Sequence, residues 1–218
     1  GPFYTPGIPI LLERASLLKG MGIEDVYVVA KFKSLSQRTI KALLVSIHCW
    51  DVTGEFRGVE EHQYLDLAVQ QLERFGDGKL FSLSDPYTRK IEIVVSKIVY
   101  SDGGIEEFPK GSWLQPREQS PLKGHFDERM ELEAYREATT KSAMHLPCEM
   151  DGAWMCTCGQ VNLSSQEECA KCHTPHELQV RMLQSEELQP SVQAHLDRLK
   201  QEQEEREERQ RAFDVQDR

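Results

Sequence analysis

Four cysteines within seventeen positions constrain this chain more than any other feature of its sequence. They come as two short pairs, Cys156-Thr-Cys158 and Cys169-Ala-Lys-Cys172, joined by a loop that holds Gly159 and Asn162. A disulfide framework distributes its cysteines through a short chain, whereas close pairs wrap thiolates around a metal. Two pairs supply four sulfur ligands, which complete a tetrahedral zinc site and leave no position for water. Such a closed site supports folding and not hydrolysis. Gly159 gives backbone freedom after the first pair, Asn162 is placed to brace the loop with its amide, and Trp154 adds apolar area that so small a module otherwise lacks. Trp154 and Asn162 are also the candidate binding residues of the segment. His173, His176 and Cys148 are substitute ligands, and a redox dithiol is the competing chemistry for Cys156 and Cys158. One structural Zn2+ is the expected cofactor, and thiolates kept reduced for it point to the cytoplasm.

The 218 residues carry a formal charge of -10, too acidic to suggest a nucleic-acid binder. A hydrophobic share of 39% fits a real core diluted by solvated segments. No run approaches the roughly 18 consecutive apolar residues of a membrane span, and no charged start followed by an apolar run suggests a signal peptide. The opening Gly1-Pro2 reads as a remnant of proteolytic processing and is left out of the fold argument.

Across residues 8–113 the pattern is that of strands. Val26-Tyr-Val-Val-Ala-Lys-Phe32, the run from Thr39 to Trp50, and the run from Lys90 to Tyr100 are rich in β-branched and aromatic residues. In the second run Leu43, Val45, Ile47 and Cys49 share one uniformly apolar face, while Ala42, Leu44, Ser46 and His48 share the other. Turn formers separate the runs, and Ser101-Asp-Gly-Gly104 predicts a hairpin turn. Strands at this spacing with no amphipathic helix among them suggest an antiparallel β-sandwich, immunoglobulin-like or fibronectin-like, over residues 3–112. A single-layer sheet covered by a later helix is the alternative. Cys49 beside Trp50 reads as a buried thiol next to an aromatic.

Residues 113–150 read as a linker with a short helix. The stretch 115–124 is polar and proline-bearing, Asp127 suits an N-cap, and Met130, Ala134 and Ala138 recur at helical spacing. The zinc ribbon occupies residues 151–176 and a charged helical segment residues 177–218. In the latter, Leu188, Val192, His195 and Leu199 repeat near heptad spacing before the chain becomes almost wholly charged or amide. Glu202 with Arg206, Glu205 with Arg209 and Glu207 with Arg211 are helical i,i+4 pairs, each worth about 0.2–0.5 kcal/mol. A solvated spacer helix is one reading and a coiled coil the other.

At Trp154, Cys156, Cys158, Asn162, Cys169 and Cys172 the ribbon resembles the zinc fingers of Ran-binding nuclear-pore proteins, departing from them in its one-residue first knuckle. That resemblance implies a surface for single-stranded RNA, ubiquitin or a small GTPase. Here the surface is acidic, with Asp151, Glu167 and Glu168 against Lys171, and lacks arginines to stack on bases and meet phosphates. The whole chain is similar to a group of uncharacterised proteins of Gram-positive bacteria that pair a β-sandwich with a Trp-x-Cys-x-Cys-Gly ribbon and a charged helix. The matching residues are Leu35-Ser-Gln-Arg-Thr-Ile-Lys-Ala42, Trp50-Asp-Val-Thr-Gly-Glu55, Tyr64-Leu-Asp-Leu67 and Asp85-Pro-Tyr-Thr-Arg-Lys-Ile-Glu92. Some relatives continue into a membrane segment, which implies the cytosolic face of a tethered protein, and no activity comes with the resemblance.

The function expected is therefore non-enzymatic: a zinc-containing module that recognises a protein partner through a sandwich edge or the ribbon surface, with Phe108 or Trp113 as anchors if they are not core. Single-stranded RNA binding through Trp154 is the alternative. A hydrolytic set of His48, His62 and Asp66 is the third, against which their strand-like alternation argues for plain solvent-face polar groups.

Overall fold

A computed structural model describes residues 2–20, 25–108 and 117–216. Gly1, Trp113 and the start of the expected linker at Gln115-Pro116 lie outside the described residues. Contacts divide the chain into two compact units, Gly1–Gln119 with Glu149–Ala153, and Ser120–Cys148 with Trp154–Arg218.

Branching at Cβ suits a pleated backbone, and the first unit is built of strands. In chain order they are β1 (Phe3–Tyr4), β2 (Ile10–Lys19), β3 (Val26–Ser34), β4 (Ile40–Trp50), β5 (Phe56–Tyr64), β6 (Arg74–Phe75), β7 (Leu80–Ser82), β8 (Lys90–Tyr100), β9 (Ile105–Glu107) and β10 (Arg117–Glu118). One sheet has the order β10-β1-β2-β3-β6, with β7 also paired to β3, and the other has the order β5-β4-β8-β9. The pairings are antiparallel. The chain changes sheet after β3, β5, β7 and β9, and the alternation of strand pairs from β2 to β9 is the strand partition of an immunoglobulin-like or fibronectin-like sandwich and not of a single layer.

The core is where the two inner faces meet. Val28, Ala30 and Phe32 of β3 pack with Leu43, Val45, Ile47 and Cys49 of β4 and with Ile93 and Val95 of β8. The four β4 residues are no more than 2% exposed, as their alternation predicts. Phe108 packs against this cluster, which is the core reading of that aromatic. Phe32 stacks on Phe75 at 5.5 Å and meets Tyr64 edge-on at 5.4 Å. Gly76, at φ +96, makes this approach possible, because a Cβ there would lie 2.8 Å from the Ala30 carbonyl oxygen. The turn at 101–104 joins β8 to β9 with the Tyr100 N–H donating to the Gly104 carbonyl at 2.9 Å. Arg38 reaches into this turn, bonding Asp102 through two nitrogens at 2.9 and 2.7 Å and covering the Tyr100 ring at 3.9 Å.

After β10 the chain forms α1 (Arg129–Ala138), the three-stranded sheet of β11 (Cys148–Met150), β12 (Ala153–Met155) and β13 (Val161–Leu163), and then α2 (His176–Arg181) and α3 (Ser185–Gln216). The N-cap of α1 is Glu128 and not Asp127, because the Glu131 carboxylate reaches back to the Glu128 N–H at 3.3 Å. The described part of the stretch expected to be a linker is ordered: Pro121 bridges His145, and Leu122 is fully buried. It belongs to a cluster with Leu132, Ala134, Tyr135, Ala143 and Leu188.

α3 packs its first turns on α1. Leu188 is 1% and His195 4% exposed, whereas Leu199 is 42% exposed, so the apolar stripe ends there. His195 Nδ1 lies 3.1 Å from Glu137 and Nε2 3.4 Å from Glu133, and Arg198 also pairs with Glu137. Of the expected i,i+4 pairs, Glu205 with Arg209 and Glu207 with Arg211 form at 3.6 and 3.4 Å, while Glu202 faces Arg198 at 4.0 Å. Among the described residues no helix is long and apolar enough to cross a membrane.

Candidate metal centre

β12 delivers the first cysteine pair and the turn into β13 presents it. The Cys156 N–H donates to the Gln160 carbonyl and the Gly159 N–H to the Cys156 carbonyl, both at 2.8 Å. Gly159 closes this turn at φ +83, a left-handed conformation that a side chain would oppose. The second pair sits in a loop closed by the Cys169 N–H on the Thr174 carbonyl at 3.0 Å and the His173 N–H on the Cys169 carbonyl at 2.9 Å.

The two loops bring all four sulfurs within 4.8 Å of one another. Cys156 and Cys172 are 3.5 Å apart, and Cys158 and Cys169 3.7 Å. A disulfide needs about 2.05 Å, and the thiols are free. A tetrahedral ion about 2.3 Å from each sulfur separates the sulfurs by about 3.8 Å, so the quartet has the dimensions of a four-thiolate metal site. The Cys158 and Lys171 N–H groups each point at a sulfur at 3.4 Å, as amides do that offset thiolate charge. The four cysteines can therefore hold one metal ion. His173, His176 and Cys148 stand outside this group.

Burial pushes the Cys156 and Cys158 thiols up. Burial acts the same way on Cys172, but hydrogen bonds with Thr174 and with the neighbouring thiols outweigh it and bring that group down to about 7. A bound dication reverses the burial effect, because coordination deprotonates a thiol outright.

Asn162 is fully buried and braces the loops: its Nδ2 donates to the Gln160 carbonyl at 3.2 Å, and its Oδ1 accepts from the Ala170 N–H at 3.0 Å. Trp154 is 1% exposed, donates from Nε1 to the Gln166 carbonyl at 2.9 Å, and stacks on His176 with ring centroids 4.3 Å apart. Both side chains, expected as binding residues, lie in the interior and not on the surface. A base has no free indole face to stack on.

Sequence reasoning missed Gln179 of α2. Its side chain is fully buried, with Oε1 accepting from the Thr157 N–H at 3.0 Å and Nε2 donating to the Thr174 carbonyl at 3.1 Å. The Tyr135 hydroxyl of α1 donates to the Gln179 backbone carbonyl at 2.9 Å. Nothing local in the sequence marks these residues, since the Thr157 and Tyr135 bonds span 22 and 44 positions.

His48 lies beside Trp50 and Phe56 with ring centroids 6.0 Å from each, His62 is against Phe81 at 4.4 Å, and Asp66 occupies an exposed turn at φ 54. Three surface cavities among the described residues, of 290, 460 and 200 Å3, are lined by none of the three.

No family model matches the chain, and no curated protein matches it. A solved structure of a DUF1425 family member from Shewanella sp. pv-4 is similar at a TM-score of 0.29 and 11% identity, over 44% of this chain and 94% of that one. The fold described above rests on its own strand order and not on that likeness.

Proposed function

We propose that Cys156, Cys158, Cys169 and Cys172 hold one structural zinc, and that the chain is a non-enzymatic module that binds a protein partner in a reducing, cytoplasmic setting. The observation that carries the metal reading is the convergence of four free thiols within 4.8 Å at separations that suit a tetrahedral ion. Zinc fits this donor set because it accepts four thiolates without redox chemistry. Protein fills every position, so the ion supplies cross-linking of two loops and no activated water. The binding reading is supported by the closed character of that site and by an acidic surface at Glu167 and Glu168, which favours a protein over a polyanion.

Metal analysis of reduced protein tests the first part, with about one zinc per chain expected and its release by a mercurial or chelator. Protein that binds no zinc contradicts it. Pull-down from source cells with the intact chain and with Cys169→Ser/Cys172→Ser tests the second part. Loss of a partner with the cysteines assigns binding to the ribbon, and equal recovery excludes the ribbon as the binding surface.

A further inference from the structure

Gln179 is a buried polar side chain whose amide oxygen and amide nitrogen each bond one of the two ligand loops. Thr157, whose N–H it accepts, stands between Cys156 and Cys158, and Thr174, whose carbonyl it engages, follows Cys172 by two residues. The same Thr174 carbonyl takes the Cys169 N–H at 3.0 Å. One amide therefore ties the first knuckle to the backbone that closes the second. A residue that only filled the space between α2 and the loops could be apolar, and burying an amide is tolerated only when its groups find partners. On the other side, the Tyr135 hydroxyl holds the Gln179 carbonyl at 2.9 Å, and Tyr135 is itself fully buried in the helical cluster.

We infer that Gln179 is a positioning residue that sets the metal affinity of the four-thiol site by coupling it to the packing of α1. The inference rests on the zinc reading above. Fixing Thr157 and Thr174 before the ion arrives lowers the cost of gathering four thiolates, so affinity rises with the order of the helical cluster. Coupling of this kind is reciprocal: an ion that fixes the two loops also fixes Gln179, and through it the seat of Tyr135.

The test is Gln179→Met, which keeps the volume and removes both side-chain bonds, assayed with zinc and with Co2+ as probes. Stoichiometry is expected to stay at one ion per chain while zinc affinity, by competition with a chromophoric chelator, falls by about 10- to 100-fold. The d–d spectrum of the cobalt form shifts, which a purely structural change at a distance does not produce. Tyr135→Phe removes one hydroxyl and keeps the ring, so it guards against a Gln179 variant that fails to fold. Its expected effect on zinc affinity is a fall of about fivefold, the size of one net hydrogen bond. In the parent protein, hydrogen exchange in α1 slows on adding zinc, and in Gln179→Met this response disappears. Parental zinc affinity and an unshifted cobalt spectrum in Gln179→Met overturn the inference, as does an unchanged affinity in Tyr135→Phe. Failure of the parent protein to bind zinc instead overturns the reading beneath it.

Discussion

Replacing Trp154 by alanine separates an interior role from a recognition role for the aromatic beside the cysteines. Trp154 is the largest of the fully buried side chains among the described residues. A buried tryptophan cut to alanine costs about 3–5 kcal/mol. Of this, the lost Nε1 bond to Gln166 accounts for about 1 kcal/mol, and the stack on His176 for about another 1 kcal/mol. The rest is apolar area and the cavity left behind. Trp154→Phe keeps a stacking ring and loses the indole donor, so about 1–2 kcal/mol is expected. If ribbon folding and metal binding are one equilibrium, 4 kcal/mol corresponds to nearly three orders of magnitude in zinc affinity. The assay is urea titration of zinc-loaded protein with a chromophoric chelator reporting release, which reads the ribbon separately from the sandwich. The order of stability expected is parent, then phenylalanine, then alanine. An alanine variant whose release midpoint stays within about 0.5 kcal/mol of the parent refutes the reasoning and returns the indole to the surface.

In the sandwich, Leu43→Ala is expected to cost about 2–5 kcal/mol by urea denaturation, because Leu43 is fully buried, whereas Val52→Ala, at a site 85% exposed, stays within about 0.5 kcal/mol. The hydrogen-bonded Arg38 guanidinium holds the Asp102 carboxyl down to about 2, below the ordinary range. A depressed carboxylate contributes stability that is fully present above its unfolded value near pH 4 and lost as pH falls toward 2. Asp102→Asn therefore flattens that part of the acid unfolding curve, and a variant with the parent's acid limb contradicts the assignment. Gly104→Ala is expected to act in the same direction, because its Cβ would fall 1.6 Å from Arg38 Nη2 and drive the guanidinium off Asp102. Alanine at Glu207 changes thermal stability by no more than a few tenths of a kcal/mol, since its pair with Arg211 is exposed on a solvated helix.

The parts of the fold that could be read from the sequence are those where one signal dominates. Leu43, Val45, Ile47 and Cys49 alternate cleanly because β4 lies at the centre of its sheet with one face in the core. The cysteine quartet was legible because metal geometry restricts the spacing of ligands. β2 lies within the strand-patterned stretch 8–113 but is not among the runs that mark themselves as strands. Its Leu-Leu-Glu-Arg-Ala composition favours helix, and pairing with β3 along its length, around a bulge near Leu12 and Arg14, and with β1 at Leu11 and Leu12 overrides that preference. The helical cluster was equally obscure, because Leu188, Val192 and His195 form a stripe too short to declare a packing face. Gln179 and Tyr135 act through bonds between distant positions, and Trp154 reads the same in a sequence whether it lies inside or outside the ribbon.

X-ray absorption at the zinc edge of the reduced, zinc-loaded protein tests the central claim most directly. Four sulfur neighbours at about 2.3 Å and no nitrogen or oxygen in the first shell are expected from the quartet. A shell with fewer than four sulfurs completed by a light atom contradicts a closed site, and with it the exclusion of a substrate position at the metal.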